Sequence, residues 1–126
     1  MPEVLLIGRD QTARLYTDEV LRRGGFHVRA VAPREAKNLV DDGVSYAVVV
    51  FSNTLDSRDV AEIGTQLRQR IPNAKLLLLL GPDSAAMNLS LFDASIEGLD
   101  GPAALIQVAR QLAEASFENG SAQMSA

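Results

Sequence analysis

A chain of 126 residues, 47% of them hydrophobic, is long enough to bury one continuous core and short for two domains. With no cysteine, disulfides and thiolate metal sites are excluded, so packing alone must hold the fold and a cytoplasmic setting is expected. A net charge of −4 argues against a grip on DNA or RNA, whose polyanionic backbone is held by clustered Lys and Arg.

The chain opens on Val4-Leu5-Leu6-Ile7, a continuous apolar run of strand length, as expected for a central strand covered on both faces. It is too short for a signal sequence and lacks a basic leader, and Leu76–Leu80 falls far below spanning length, so no membrane partner is expected. A helix follows from Thr12, with Ala13, Tyr16, Val20 and Gly24 on its inner face and Leu15 pointing away; Gly24-Gly25 closes it. His27–Val31 alternates polar and apolar, the pattern of an edge strand, and His27 reads as an exposed strand residue.

Pro33 suits a first helical turn and Glu35 suits the positive end of the helix dipole, with Ala36, Leu39 and Val40 facing in and Gly43 ending the helix. Tyr46–Phe51 is a second apolar strand. Asp56, Ser57 or Asp59 can cap a helix in which Val60, Ile63, Leu67 and Ile71 recur at helical period, and Pro72 stops it. A third buried strand, Leu76–Leu80, leads through Gly81-Pro82 to a fourth helix capped by Asp83 or Ser84. There Ala85, Leu89 and Phe92 face in, while Met87 and Leu91 project outward. A weak strand, Ser95–Leu99, precedes Gly101-Pro102 and a last helix that packs through Leu105, Val108, Ala109 and Leu112. Residues 1–117 thus form one domain, and 118–126 read as a flexible tail.

Five strand–helix units joined by short connections predict an α/β fold: a single three-layer, doubly wound domain around a five-stranded parallel sheet in the flavodoxin-like order 2-1-3-4-5. In such sheets chemistry gathers at the carboxyl ends of the strands. Here those ends read Ile7-Gly8-Arg9, Phe51-Ser52, Leu80-Gly81 and Gly98-Leu99, which offer little to react.

From Glu3 to Ala113 the spacing resembles the receiver domain of two-component response regulators. The opening strand with its helix ending Leu21-Arg22-Arg23-Gly24-Gly25-Phe26, the strand Tyr46–Phe51, Ile71-Pro72-Asn73-Ala74-Lys75 before the Leu run, and Pro102-Ala103-Ala104-Leu105 carry it. The resemblance implies an acidic pair for Mg²⁺, a phosphate-accepting aspartate, a hydroxyl and a lysine. The matching positions hold Gly8 and Arg9, Phe51 or Ser52, Leu80 and Gly98. A cation needs hard oxygens and an acyl phosphate needs a carboxylate. The expectation is therefore a pseudo-receiver: a signalling module that works through protein contacts without phosphorylation, catalysis or cofactor.

The remaining reactive groups are few. Arg9, at the amino end of the first helix, pairs with Asp10 or Asp56 or else holds a phosphate or nucleotide; the second option defines the alternative function of a small anionic-ligand binder. Asp10, Asp56 and Asp59 read as caps in preference to a metal site. Ser52 lacks both a nucleophile elbow and a nearby base, since His27 is the sole histidine. Met87 and Leu91 with Ala104 and Ile106 form a candidate interface, a homodimer by preference, and Leu15 is a further candidate on the first helix.

Overall fold

The computed structural model describes residues 2–41, 45–81, 89–97 and 100–125, with side chains up to residue 115. Strands β1 (Glu3–Ile7), β2 (His27–Val31), β3 (Val48–Phe51), β4 (Lys75–Leu80) and β5 (Ala94–Glu97) form one parallel sheet in the order β2-β1-β3-β4-β5. The predicted winding is the one observed. Helices α1 (Gln11–Arg23) and α4 (Gly101–Ser125) lie on one face, and α2 (Pro33–Asp41) and α3 (Ser57–Arg70) on the other.

Alternate residues of each central strand feed opposite layers, which is why β1 from Val4 onward and all of β3 are apolar. Leu5, Ile7, Val49 and Phe51 pack under α2 and α3. Val4, Leu6, Val48 and Val50 pack under α1 and α4. Phe51 is wholly buried and meets the edge of Phe92 at 5.2 Å between ring centroids and 85° between planes. Burying one such ring is worth about 1.5–3 kcal/mol.

α1 sits one residue out of the predicted phase. Thr17, Val20 and Leu21 face the sheet, whereas Tyr16, expected inside, is 59% exposed. The buried Thr17 hydroxyl donates to Ala13 O at 3.0 Å, so a polar residue sits on the core face at no cost in lost hydrogen bonds. The helix stops where Phe26 N–H returns to Leu21 O at 3.2 Å, a turn that needs the left-handed φ of +93° at Gly25. Gly24 lies so close to α4 that a Cβ there would stand 2.9 Å from Ile106 Cγ2.

The predicted fourth helix differs most. Residues 82–88 lie outside the described ones, and the part that follows is a single 3-10 turn, Leu89–Leu91. Leu89, expected inside, is 49% exposed. Arg68 of α3 holds this turn from below, donating from Nε (3.0 Å) and Nη2 (2.6 Å) to Leu91 O. Strand β5 begins one residue earlier than predicted, and residues 98 and 99 fall outside the described ones. Helical backbone continues through 118–125, where composition reads a tail, and Ala113 is buried.

Candidate functional site

At the carboxyl edge, the loops after β1 and β3 touch. Gly8 N–H continues the ladder to Val31 O (3.0 Å) and Ser52 N–H to Ile7 O (2.8 Å), so Gly8 and Ser52 are neighbours just beyond the ends of β1 and β3. A Cβ at Gly8 would stand 3.2 Å from Ser52 Cβ. Phe51 points into the core beneath α3, which leaves Ser52, only 1% exposed, as the residue at the rim.

Thr54 organises this corner. Its Oγ1 accepts the backbone N–H of Arg9 (3.1 Å) and of Asp10 (3.2 Å), two donors at the entry to α1. A hydroxyl has two acceptor sites and one proton, so Thr54 must spend its proton on Ser52 Oγ, 3.2 Å away. Ser52 Oγ also accepts Thr54 N–H (3.3 Å), which turns its own proton toward Asn53 Oδ1 at 3.5 Å. Ser52 is thereby fixed by a hydroxyl and an amide and has no base beside it. His27 stands at the opposite edge of the sheet, where its N–H pairs with Pro2 O (3.0 Å) and its ring with Glu3 (3.1 Å). Among the described residues Ser52 therefore has no base within hydrogen-bonding distance.

Arg9 is drawn sideways. Its Nη2 donates to the Asp59 carboxylate and lies 3.4 Å from Asp56 Oδ2, bridging the loop after β1 to the first turn of α3. The hydrogen bond to Asp59, then the charges of Asp59 and Asp56, raise the Arg9 pKa and keep the guanidinium ionised. Asp10, the other expected partner, instead caps α1 by accepting Ala13 N–H at 2.8 Å. Asp56 caps α3, taking Asp59 N–H at 2.8 Å. The chain of charges continues through Lys37 of α2, which is 3.7 Å from Asp59 Oδ1 and 2.8 Å from Glu62 Oε2. Glu62 holds the Lys37 ammonium in its charged form and is itself held below the usual carboxylate range, first by Lys37 and then by Arg58.

The three rim aspartates therefore have caps and cations as partners, and among the described residues no group of three or more potential ligands could hold a metal ion. Just ahead of α1, Thr54 takes the Arg9 and Asp10 amides, and Asp10 takes that of Ala13. A cleft of about 280 Å³ opens at the rim on the opposite face, between α1 and α4, and is lined by Tyr16, Thr17, Asn53, Leu80 and Glu97, not by Arg9.

Among the described residues the members of the candidate interface are partly covered within the chain. Leu91 is half-buried and its Cδ1 comes within 3.6 Å of the place a Cβ on Gly64 of α3 would take, so it faces inward where an outward projection is expected. Ile106 covers Gly24, and Ala104 packs beside it against the core. Both are correctly placed on α4 but are used within the chain. Met87 and Gly98 lie outside the described residues. Leu80 is half-buried against the α2–α3 layer. Leu15 is 58% exposed, as expected, with Tyr16 next to it. The residues missed by sequence reasoning are Thr54 and Lys37; hydroxyl and ammonium partners on separate loops carry no periodic signal that would single them out.

The chain superposes on solved receiver domains. A response regulator receiver protein from Sinorhizobium medicae WSM419 is 22% identical, with a TM-score of 0.76 over 91% of this chain and 96% of that one. A CheY-like receiver domain protein from Methanospirillum hungatei JF-1 reaches a TM-score of 0.80 at 16% identity, over 94% and 98%. The signal receiver domain of an HD domain-containing protein from Pseudomonas fluorescens Pf-5 gives 0.79 at 18%, over 95% and 92%. No family model and no curated protein sequence matches the chain. At these identities the likeness shows the fold, a CheY-like, flavodoxin-like α/β domain. Among the described residues no helix is long and apolar enough to cross a membrane.

Proposed function

We propose that this receiver-folded chain is a regulatory module of two-component-type signal transduction that acts through contacts with other proteins and without aspartyl phosphorylation or catalysis. One observation carries the reading. The rim position after β3 is Ser52, buried and hydrogen-bonded to Thr54, while the residue after Gly8 is a cation that claims Asp56 and Asp59 for itself. A divalent ion placed there would have to displace the Arg9 charge, and a phosphoryl donor would find no carboxylate on β3 to attack it.

The anion-binding alternative has less support, because the guanidinium is matched by two carboxylates and the Arg9 and Asp10 amides by Thr54. The partner is expected to be a signalling protein or a second copy of the chain, in the cytoplasm. Incubation with acetyl phosphate and Mg²⁺, followed by intact mass measurement, tests the reading. An unmodified mass is expected. A gain of one phosphoryl group that survives in Ser52→Ala would place an acceptor aspartate elsewhere and overturn it.

A further inference from the structure

β2 is an edge of the sheet and pairs with β1 alone. Backbone groups alternate in direction along a strand. His27 N–H and Val31 O both bond toward β1, so Val28 and Ala30 turn theirs outward. One of these outward groups is met by a side chain: Arg22 Nη2 of α1 donates to Val28 O at 2.7 Å. A guanidinium thus stands where a neighbouring strand's N–H would stand. Ala30 has no such substitute among the described residues.

A cleft of about 600 Å³ follows this edge, lined by Arg14, Leu15 and Arg22 of α1, by Arg29 of β2 and by Tyr46 ahead of β3. Its charge runs against that of the chain. Asp18 pairs with Arg22 (2.6 Å), and Glu3 is hydrogen-bonded to the His27 ring (3.1 Å). Arg14 donates to Gly8 O at 2.7 Å and Arg29 lies against the Tyr46 hydroxyl, both neutral acceptors, and neither has a carboxylate partner among the described residues. Three guanidiniums against two carboxylates therefore leave a net positive lining along an unpaired strand edge in a protein whose net charge is −4.

We propose that this edge binds an extended, carboxylate-bearing segment of a partner protein, which adds to the sheet beside β2. Backbone bonds to Val28 and Ala30 supply affinity, and carboxylates on the segment meet Arg14, Arg29 and the Arg22 guanidinium freed from Val28 O. A second copy of this chain fits less well. Added antiparallel about the middle of β2, it would set Arg29 directly opposite Arg29, a like-charge pair that opposes pairing. The inference rests on the protein-contact reading above and names its partner class.

The test uses the full chain and two labelled probe peptides, one of Glu-Glu-Val-Val repeats and one of Lys-Lys-Val-Val repeats, so that charge reaches both faces of the added strand, followed by fluorescence anisotropy and amide hydrogen exchange. The Glu–Val peptide should bind saturably, slow exchange at Val28 and Ala30, and lose about tenfold in affinity when Arg14→Gln and Arg29→Gln are combined. Arg29→Gln alone, on an exposed side chain, keeps the comparison open if the pair fails to fold. Equal binding of both peptides, unchanged affinity in the variants, or no change at Ala30 would overturn the proposal. So would concentration-dependent dimerisation abolished by Ala30→Pro, which would give the edge to a second copy. Any of these with an unphosphorylated mass removes the partner assignment and leaves the phosphorylation-independent reading standing.

Discussion

Arg9 Nη2 donates to the Asp59 carboxylate, tying the residue that follows β1 to the first turn of α3 across the carboxyl edge of the sheet. The tie occupies with one internal cation the mouth that a bound cation would otherwise need. It also commits Asp59 to a role that its place in the sequence, inside a helix-capping run, does not announce.

Because the Arg9 side chain is 58% exposed, this tie should respond to salt. Asp59→Asn is expected to lower the melting temperature at low ionic strength. The difference from the parent should shrink between about 0.1 M and about 1 M NaCl, as the Debye length falls from about 10 Å to about 3 Å. Calorimetry of both proteins at the two salt concentrations checks this; a difference independent of salt would assign the effect to α3 itself.

Thr54 offers a sharper test, since one oxygen serves two backbone donors and its proton serves Ser52. Thr54→Val keeps the shape and strands all three, so a loss of about 1–2 kcal/mol in urea unfolding is expected. Thr54→Ser should recover most of it, because the hydroxyl rather than the methyl does the bonding.

The winding of the sheet was legible because β1, β3 and β4 are apolar on both faces while β2 alternates, a contrast that follows directly from two covering layers. That β1 and β4 run out into Gly8 and Leu80, which carry no functional group, is also read directly from the sequence. What periodicity did not resolve was phase and partnership. The phase of α1 depends on whether Thr17 or Tyr16 faces the sheet, and a threonine that satisfies itself on Ala13 O defeats any rule that reads polarity as exposure. Leu91 turned inward because Arg68, 23 positions earlier, binds its carbonyl. Such long-range bonds to backbone leave no trace in local spacing.

Gly24 and Ile106 test the contact that takes Ile106 out of the candidate interface. A methyl group at Gly24 would stand 2.9 Å from Ile106 Cγ2, closer than carbon atoms pack. Gly24→Ala should therefore cost about 1–3 kcal/mol, the range for overfilling a packed contact. Shortening the neighbour in the double variant with Ile106→Ala should return part of that loss, a coupling visible in a denaturation double-mutant cycle. Simple additivity would show that the two helices separate there at no cost.

The acid limb of stability should carry the signature of Glu62. Its folded pKa is lowered, first by the Lys37 hydrogen bond, so the unfolded chain binds its proton more readily than the folded one. The contribution is then fully present above the ordinary carboxylate value of 4.5 and is lost as pH falls through the lower folded value. Lys37 behaves in the opposite sense. Its pKa is raised above 10.5 by the same bond, so its share is present below that value and disappears as pH climbs past the folded one. Glu62→Gln removes both arms of the pair. The expected result is a stability profile flattened at the acid end and again at the alkaline end, with the smallest change relative to its neighbours' limbs in high salt, where the exposed pair is screened. Urea midpoints measured across pH for parent and variant supply the comparison. Parallel profiles offset by a constant would mean that Glu62 contributes through α3 and not through Lys37.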